Sequence, residues 1–360
     1  MERFGFVGLP NAGKSSLYNA LAGGGALAAP YAFATVDPNV GVAKVPDARL
    51  DRLAEMSHSK NVVPAAVQFV DIAGLVKGAA QGEGLGNRFL AHIREVDAIV
   101  FVLRAFEDPD VPGSADPVDQ LDTLEVELTY ADLESLQKQS EKKRKAARVD
   151  KSLADEANAM DAAIAVLETG TPIYRSGLDA ETRTLLGPYF LLTNKPALAL
   201  VNLDEAQLED PEPVVAPVRD AFGGQGDHAV IGLCIQLEAE AALLDAESRV
   251  EMLEALGLGE GALGTFLHTA YGMLGLRTFL TTGEKESRAW TFRAGSKAPQ
   301  AAGVIHTDFE RGFIRAEVIR WDELLEIGSW SKARDVGKLR VEGKDYEVVD
   351  GDVMEFRFNV

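Results

Sequence analysis

The chain has 360 residues, 46% of them hydrophobic and 26% charged, with a formal net charge of −20. That length calls for two or three domains, because one core rarely grows past roughly 250–300 residues, and the acidic balance argues against a general affinity for nucleic acid. A single cysteine, Cys234, excludes an internal disulfide, and no run of about 18 apolar residues marks a membrane span; a cytoplasmic protein is expected, with neither membrane nor DNA as partner.

The first predicted element is a short buried strand, Phe4–Val7. It runs into Gly8-Leu9-Pro10-Asn11-Ala12-Gly13-Lys14-Ser15 and then a helix over 14–22. The pattern G-x-x-x-x-G-K-S is met in full, and the strand–loop–helix context is the one it needs. Such a loop turns backbone N–H groups and the positive end of a helix dipole onto one anion. Asn11, Ala12, Gly13, Lys14, Ser15 and Ser16 are therefore the expected nucleotide contacts. Lys14 would reach the β and γ phosphates, and Ser15 would offer its hydroxyl to Mg²⁺.

A phosphate loop also needs a second metal anchor and a γ-phosphate sensor. Thr35, in Phe33-Ala34-Thr35-Val36-Asp37-Pro38, is placed where a switch threonine completes a metal shell; an ordinary turn residue is the alternative. The next apolar strand, Val67–Val70, ends in Asp71-Ile72-Ala73-Gly74, a D-x-x-G match. Asp71 would hold the metal through water, the Gly74 N–H would meet the γ-phosphate, and Leu75 follows. His92 falls on a predicted helix, Gly86–Glu95, and reads as packed or solvent-facing.

Further apolar runs at Ala98–Leu103, Ala197–Val201 and Ala229–Cys234 lack polar alternation, as strands covered by helices on both faces do. They predict a doubly wound, mostly parallel sheet. Between Leu103 and Ala197, apolar residues recur at three- and four-residue steps from Leu133 to Leu167, with a break near Val149-Asp150. This predicts an inserted α-helical hairpin. Residues 138–151 of it carry seven basic side chains (Lys138, Lys142, Lys143, Arg144, Lys145, Arg148, Lys151) against two acidic ones, Glu141 and Asp150. That run reads either as a contact for RNA phosphates or as a solvated helix face.

Guanine-specific relatives of such folds carry N-K-x-D after a strand. Asn194-Lys195-Pro196-Ala197 precedes its strand and lacks the acid. After the strand comes Asn202-Leu203-Asp204-Glu205 instead, without the lysine stem and with an acid one methylene longer. Asn202, Leu203 and Glu205 are thus the expected base contacts, with adenine as the base, since a polar pocket that misses its partners discriminates strongly. A strand-end Asn cap is the alternative. The last segment, from about Thr278, predicts strands at Ala289–Phe292, Phe313–Ile319, Tyr346–Val349 and Met354–Phe358, the last two joined through Asp350-Gly351-Asp352. With thirteen Lys/Arg against fifteen Asp/Glu over 279–360, it reads as a nearly neutral recognition module.

Several of these stretches together carry a close resemblance to the Obg-like ATPases, the YchF subfamily of P-loop translation-factor-related proteins. They are Gly8–Ser16, Thr35–Gly41, Asp71–Ala79, Gly82–Asn87, Asn202–Glu205, Ala301–Glu310 and Asp350–Met354. The resemblance implies an α/β nucleotide-binding domain over 1–130 and 196–277, an inserted helical arm over 131–195, and a C-terminal β-grasp (ubiquitin-like, TGS) domain over 278–360. It further implies slow hydrolysis of ATP in preference to GTP, dependence on Mg²⁺, and stimulation by K⁺ through Asn11. It also implies association with the ribosome, which the arm at 138–151 and the TGS domain would contact through rRNA. Lys14, Gly74 and Leu75 are the implied catalytic positions, and Ser15, Thr35 and Asp71 the metal positions. One departure stands out. Family members supply a histidine from the loop after Phe106-Glu107-Asp108, and the matching position here is near Gly113. Loss of a water-positioning group costs ~10²–10⁴ in rate, so an ATP-sensing protein without meaningful hydrolysis is a second reading, and a GTPase of the Obg group a third.

Overall fold

The computed structural model describes residues 1–23, 40–72, 85–109, 112–223, 230–256, 258–259 and 261–359. The expectations for Thr35, Gly74 and Leu75 lie outside the described residues. The strands are β1 (Arg3–Val7), β2 (Val40–Lys44), β3 (Val62–Val63), β4 (Ala66–Asp71), β5 (Ala98–Arg104), β6 (Ala197–Asn202), β7 (Val230–Leu233), β8 (Leu276–Thr281), β9 (Ser287–Arg293), β10 (Phe313–Arg320), β11 (Arg340–Glu342) and β12 (Asp352–Phe358). Two compact units emerge, one of residues 1–43 and 68–263, the other of 44–67 and 264–360.

The first unit is built on a six-stranded sheet in the order β2-β4-β1-β5-β6-β7. The pairs β1–β4, β1–β5, β5–β6 and β6–β7 are all parallel. Every residue of β5 and β6 is buried, the result of covering a parallel sheet on both faces. Phe6 stacks on Phe69 with ring centroids 5.1 Å apart, fixing β1 against β4 below the phosphate loop. This is the expected doubly wound sheet; β2, too short and mixed to stand out in sequence, is an addition to it.

Helices α1 (Lys14–Gly23), α2 (Ala48–Met56), α3 (Leu85–Arg94), α4 (Pro117–Ala147) and α5 (Ala154–Glu168) include the two that form the inserted hairpin. Asp116 caps α4, accepting from the Val118 N–H at 2.8 Å, and Pro117 fills the first turn, where its missing N–H costs nothing. Within α4 the burial changes partner along the helix. Leu121, Leu124, Leu128 and Ala131 belong to the core under the sheet. Leu133 and Leu136 instead join Met160, Ala163, Ile164 and Leu167 of α5 in a separate apolar cluster. The chain reverses at Arg148-Val149, where Asp150 accepts from the Ser152 N–H and hydroxyl.

In the second unit the sheet order is β11-β10-β12-β8-β9-β3. β8 and β9 form an antiparallel hairpin, β12 lies parallel to β8, and β10 runs antiparallel to β12. The helix Ala298–Ile305 packs Ala298, Ala301 and Ala302 onto Phe279, Phe292, Phe313 and Phe356. This is a β-grasp arrangement. Two features differ from the sequence reading. Tyr346–Val349 is not a strand: the Tyr346 carbonyl accepts from Ala298 N–H at 2.8 Å and Val348 N–H donates to the Ser296 carbonyl at 3.0 Å, so the segment lies against that turn while Val348 enters the core. The unit also takes in 44–67. There β3 pairs with the edge of β9, α2 buries Leu50 and Leu53, and Arg49 joins Asp47 to Asp350.

Candidate nucleotide-binding site

β1 delivers Gly8–Ser15 to the start of α1, the strand–loop–helix passage anticipated from sequence. Gly13 has φ of +102°, and a Cβ built there would sit 2.6 Å from Asn202 Nδ2 and 3.1 Å from Ile235 Cδ1. Only glycine meets both constraints. Asn11, exposed at the crest of the loop, also has positive φ, +63°, a conformation that Asn tolerates better than most residues. Ala12 is fully buried and Ser16 is exposed.

Lys14 is only 7% exposed, and its ammonium donates to the carbonyls of Gly8 at 3.1 Å and Leu9 at 2.8 Å. Burial pulls its pKa below the ordinary lysine value, and the nearby Asp71 carboxylate partly counters that. Ser15 Oγ donates to Asp71 Oδ2 at 2.8 Å, so β4 and α1 bring two hard oxygen groups together beside the loop. That donor set suits Mg²⁺, which takes oxygen ligands and is commonly held by one or two protein groups together with phosphate.

Three residues were expected at the base, and the structure gives them different positions. Asn202, at the end of β6, is buried. Its Nδ2 donates to the Ala12 carbonyl at 3.1 Å, and its Oδ1 accepts from the Ile235 N–H at 3.1 Å. It thus braces the phosphate loop from the neighbouring strand. The Leu203 side chain is buried in the core and its N–H donates to the Leu233 carbonyl at 2.9 Å; neither is available to a nucleotide. Glu205 is exposed, and Asp204 is engaged by Gln207 through Asp204 Oδ1, 2.9 Å from the Gln207 N–H.

Sequence reasoning missed the support of the loop that follows β5. Gln120 is 1% exposed; its Nε2 donates to the carbonyls of Arg104 at 2.6 Å and Ser114 at 3.0 Å, and its Oε1 accepts from the Arg104 N–H at 2.9 Å. The Arg104 guanidinium donates to the Gly113 carbonyl at 2.6 Å. A polar residue one turn into an apolar helix face was the only sign of this in sequence. Gly113 itself has φ of +103°, with nothing within 4 Å of the place a Cβ would occupy. His92 is exposed on α3.

The arm sorts its basic residues. Lys138 pairs with Glu134, Lys143 with Glu156, and Arg144 with Asp161. Lys142, Lys145, Arg148 and Lys151 are exposed around the turn, beside Val149, which is 91% exposed.

A parallel doubly wound sheet, a complete phosphate loop at the end of its first strand, and an aspartate meeting the loop serine define a P-loop nucleotide-binding protein of the GTPase-like class. Residues 3–147 match a family profile described as 50S ribosome-binding GTPase. Residues 276–359 match one named YchF-GTPase_C and described as a protein of unknown function. Over 99% of both chains, the protein is 45% identical to a Bacillus subtilis protein and 47% identical to one from Haemophilus influenzae, both named ribosome-binding ATPase YchF. A solved structure, that of the Schizosaccharomyces pombe YchF GTPase, superposes with a TM-score of 0.87 at 34% identity, covering 99% of this chain and 97% of that one. The chain belongs to the YchF family.

Proposed function

We propose that the protein binds ATP with Mg²⁺, hydrolyses it slowly to ADP and phosphate, and acts as a nucleotide-dependent switch on the ribosome in the cytoplasm. The observation that carries this reading is the 2.8 Å meeting of Ser15 Oγ and Asp71 Oδ2 beside a phosphate loop braced by Asn202. Bound Mg²⁺ would neutralise phosphate charge, held through Ser15 and Asp71 and joined by Thr35. K⁺ would sit near Asn11. The Lys14 ammonium, stationed at the Gly8 and Leu9 carbonyls, is placed to take up charge on the terminal phosphates. Gly74 N–H would sense the γ-phosphate, and Leu75, being apolar, would offer no group to orient the attacking water.

Adenine is favoured over guanine because the guanine clamp is not reproduced: Glu205, one methylene longer, stands where the base-reading aspartate would be, and Leu203, part of the core, replaces the lysine stem. The names of the curated relatives point to ATP and to the ribosome. No helix among the described residues is long and apolar enough to cross a membrane. The exposed cations at the turn of the arm, together with the β-grasp unit, would meet rRNA.

Titration of ATP and GTP with Mg²⁺ tests the reading, with Lys14→Ala as control; tighter binding of GTP would transfer the protein to the GTPases. Single-turnover phosphate release decides the matter of hydrolysis. A second reading, an ATP sensor that does not turn over, draws on Gly113. It offers no side chain, and its backbone conformation is one that a histidine rarely adopts. A release rate equal to that of Lys14→Ala would favour the sensor.

A further inference from the structure

Asn194-Lys195, which imitates a base-reading motif from the wrong side of β6, has a different placement. The Lys195 ammonium donates to the Arg94 carbonyl at 3.1 Å and the Val96 carbonyl at 2.6 Å. These acceptors lie at the C-terminal end of α3, where carbonyls have no helical partner and a cation complements the dipole. The segment around Lys195 is itself tied down. The Asp132 carboxylate, on α4, accepts from the Leu192 N–H at 2.9 Å, and from the Thr193 N–H and hydroxyl, both at 2.7 Å. Tyr174, on the returning limb of the arm, donates its N–H to the Thr193 carbonyl at 2.7 Å. The Pro196 carbonyl accepts from Ile99 of β5 at 2.9 Å.

Residues 192–196 thus form a junction fixed to α4, to the arm and to the sheet, and Lys195 is its hydrogen-bonded link to α3, beside the apolar core that Leu192 shares with Leu90 and Ile93. α3 and α4 also share the core under the sheet, through Leu90 and Ile93 of one and Leu128 and Ala131 of the other, and a cleft of about 290 Å³, lined by Leu90, Arg94, Ala131, Glu134 and Lys138 among others, opens between them. α3 begins at Leu85, a short run of chain after Asp71. α4 is one continuous helix from the sheet into the arm, and Asp132 lies near the point where its packing changes from sheet to arm.

We infer that Lys195 is a positioning residue that fastens α3 to the base of the arm, so that displacement of α3 by bound nucleotide is delivered to the arm. This rests on the nucleotide-switch reading above. Coupling of this kind needs a discrete physical connection between two elements. By reciprocity, a partner seated on the arm would alter nucleotide affinity by the same factor.

The test places nitroxide labels at Val149→Cys on the arm turn and Asp220→Cys on the helix Glu212–Ala221; the native Cys234 is buried. Distances are measured by pulsed EPR without nucleotide and with a non-hydrolysable ATP analogue and Mg²⁺, with analogue affinity measured in parallel. The full-length labelled protein should shift its distance distribution. Lys195→Met should bind the analogue within about twofold of the parent yet shift at least threefold less, and Lys195→Arg should recover most of the shift. Thr193→Val, which deletes one bond of the junction, should give an intermediate shift. An undiminished shift in Lys195→Met overturns the inference, whereas a parent that binds the analogue without any shift overturns the switch reading beneath it. A parent that fails to bind the analogue overturns instead the nucleotide reading on which the inference stands.

Discussion

Asn202 and Ala12 are 190 positions apart in the chain, yet the Asn202 amide donates to the Ala12 carbonyl at 3.1 Å. Both groups are buried, so truncating the side chain leaves an orphaned acceptor at Ala12 and an orphaned donor at Ile235. Such groups cost about 1–3 kcal/mol each. Asn202→Ala should therefore weaken ATP binding roughly 5- to 100-fold, whereas Glu205→Ala, at an exposed position, should change it less than about twofold. Calorimetric titration of both variants checks this, and the reverse ranking would mean that Glu205 reads the base.

Gly13→Ala should be more severe than its single methyl suggests. The new Cβ would meet Asn202 Nδ2 at 2.6 Å, and the residue would keep a φ of +102°. We expect ATP affinity to fall more than tenfold, with thermal stability lowered by about 1–3 kcal/mol for the strained backbone. Unchanged affinity would show that the loop can open away from Asn202.

Burial pushes the Asp132 carboxyl up to about 6, although three hydrogen bonds from residues 192 and 193 favour its charged form. Its folded pKa therefore exceeds its unfolded value of about 3.9. Between those values the folded state holds more proton, so stability falls as pH rises through the window, and the penalty is complete above about pH 6. Asp132→Asn removes this term. The stability difference between parent and variant, from urea unfolding at pH 5 and pH 7.5, should move against the parent at the higher pH by on the order of 1–2 kcal/mol. A pH-independent difference would mean that the carboxylate is ionised throughout.

Reversing Lys142, Lys145, Arg148 and Lys151 to Glu should abolish salt-sensitive co-sedimentation with ribosomes. Lys143→Glu with Arg144→Glu should act more weakly, because those two side chains already face Glu156 and Asp161. If four phosphates are engaged, raising salt from 50 to 200 mM should weaken binding of the parent roughly 50-fold. Equal effects of the two variants would extend the contact surface along the whole arm.

Gln120→Leu keeps the volume and removes every polar contact of that side chain to Arg104, Ser114 and Asp116. A loss of about 2–4 kcal/mol in unfolding free energy is expected. A smaller loss would show water taking over these groups.

The nucleotide-binding sheet was legible because parallel strands covered on both faces are written as plain apolar runs: β1, β4, β5 and β6 all fall where Phe4–Val7, Val67–Val70, Ala98–Leu103 and Ala197–Val201 placed them. The phosphate loop was legible for a similar reason, since its chemistry is local and the spacing specifies it. What escaped was long-range. Leu203 and Asn202 are neighbours in sequence, but only the fold decides that one enters the core while the other braces Ala12. Tyr346–Val349 has strand-like composition, yet the Ser296 and Ala298 backbone groups claim its hydrogen bonds. Charge counting found the basic stretch of the arm without revealing that α5 supplies Glu156 and Asp161 to neutralise part of it. Likewise, nothing local to Asn194-Lys195 announces a carbonyl on α3 as its target.

The two-residue strand Val62–Val63, paired with Ser287 and Arg288, carries a practical lesson for dissection. A fragment cut at residue 264 or 278 would lose β3 and the Leu50 and Leu53 side chains buried with it, laying bare an unpaired sheet border and an apolar surface. Such a piece is prone to aggregate, and its failure to bind a partner would be uninformative. Supplying residues 44–67, by fusion or as a separate peptide, is the condition under which the C-terminal segment could be studied in isolation.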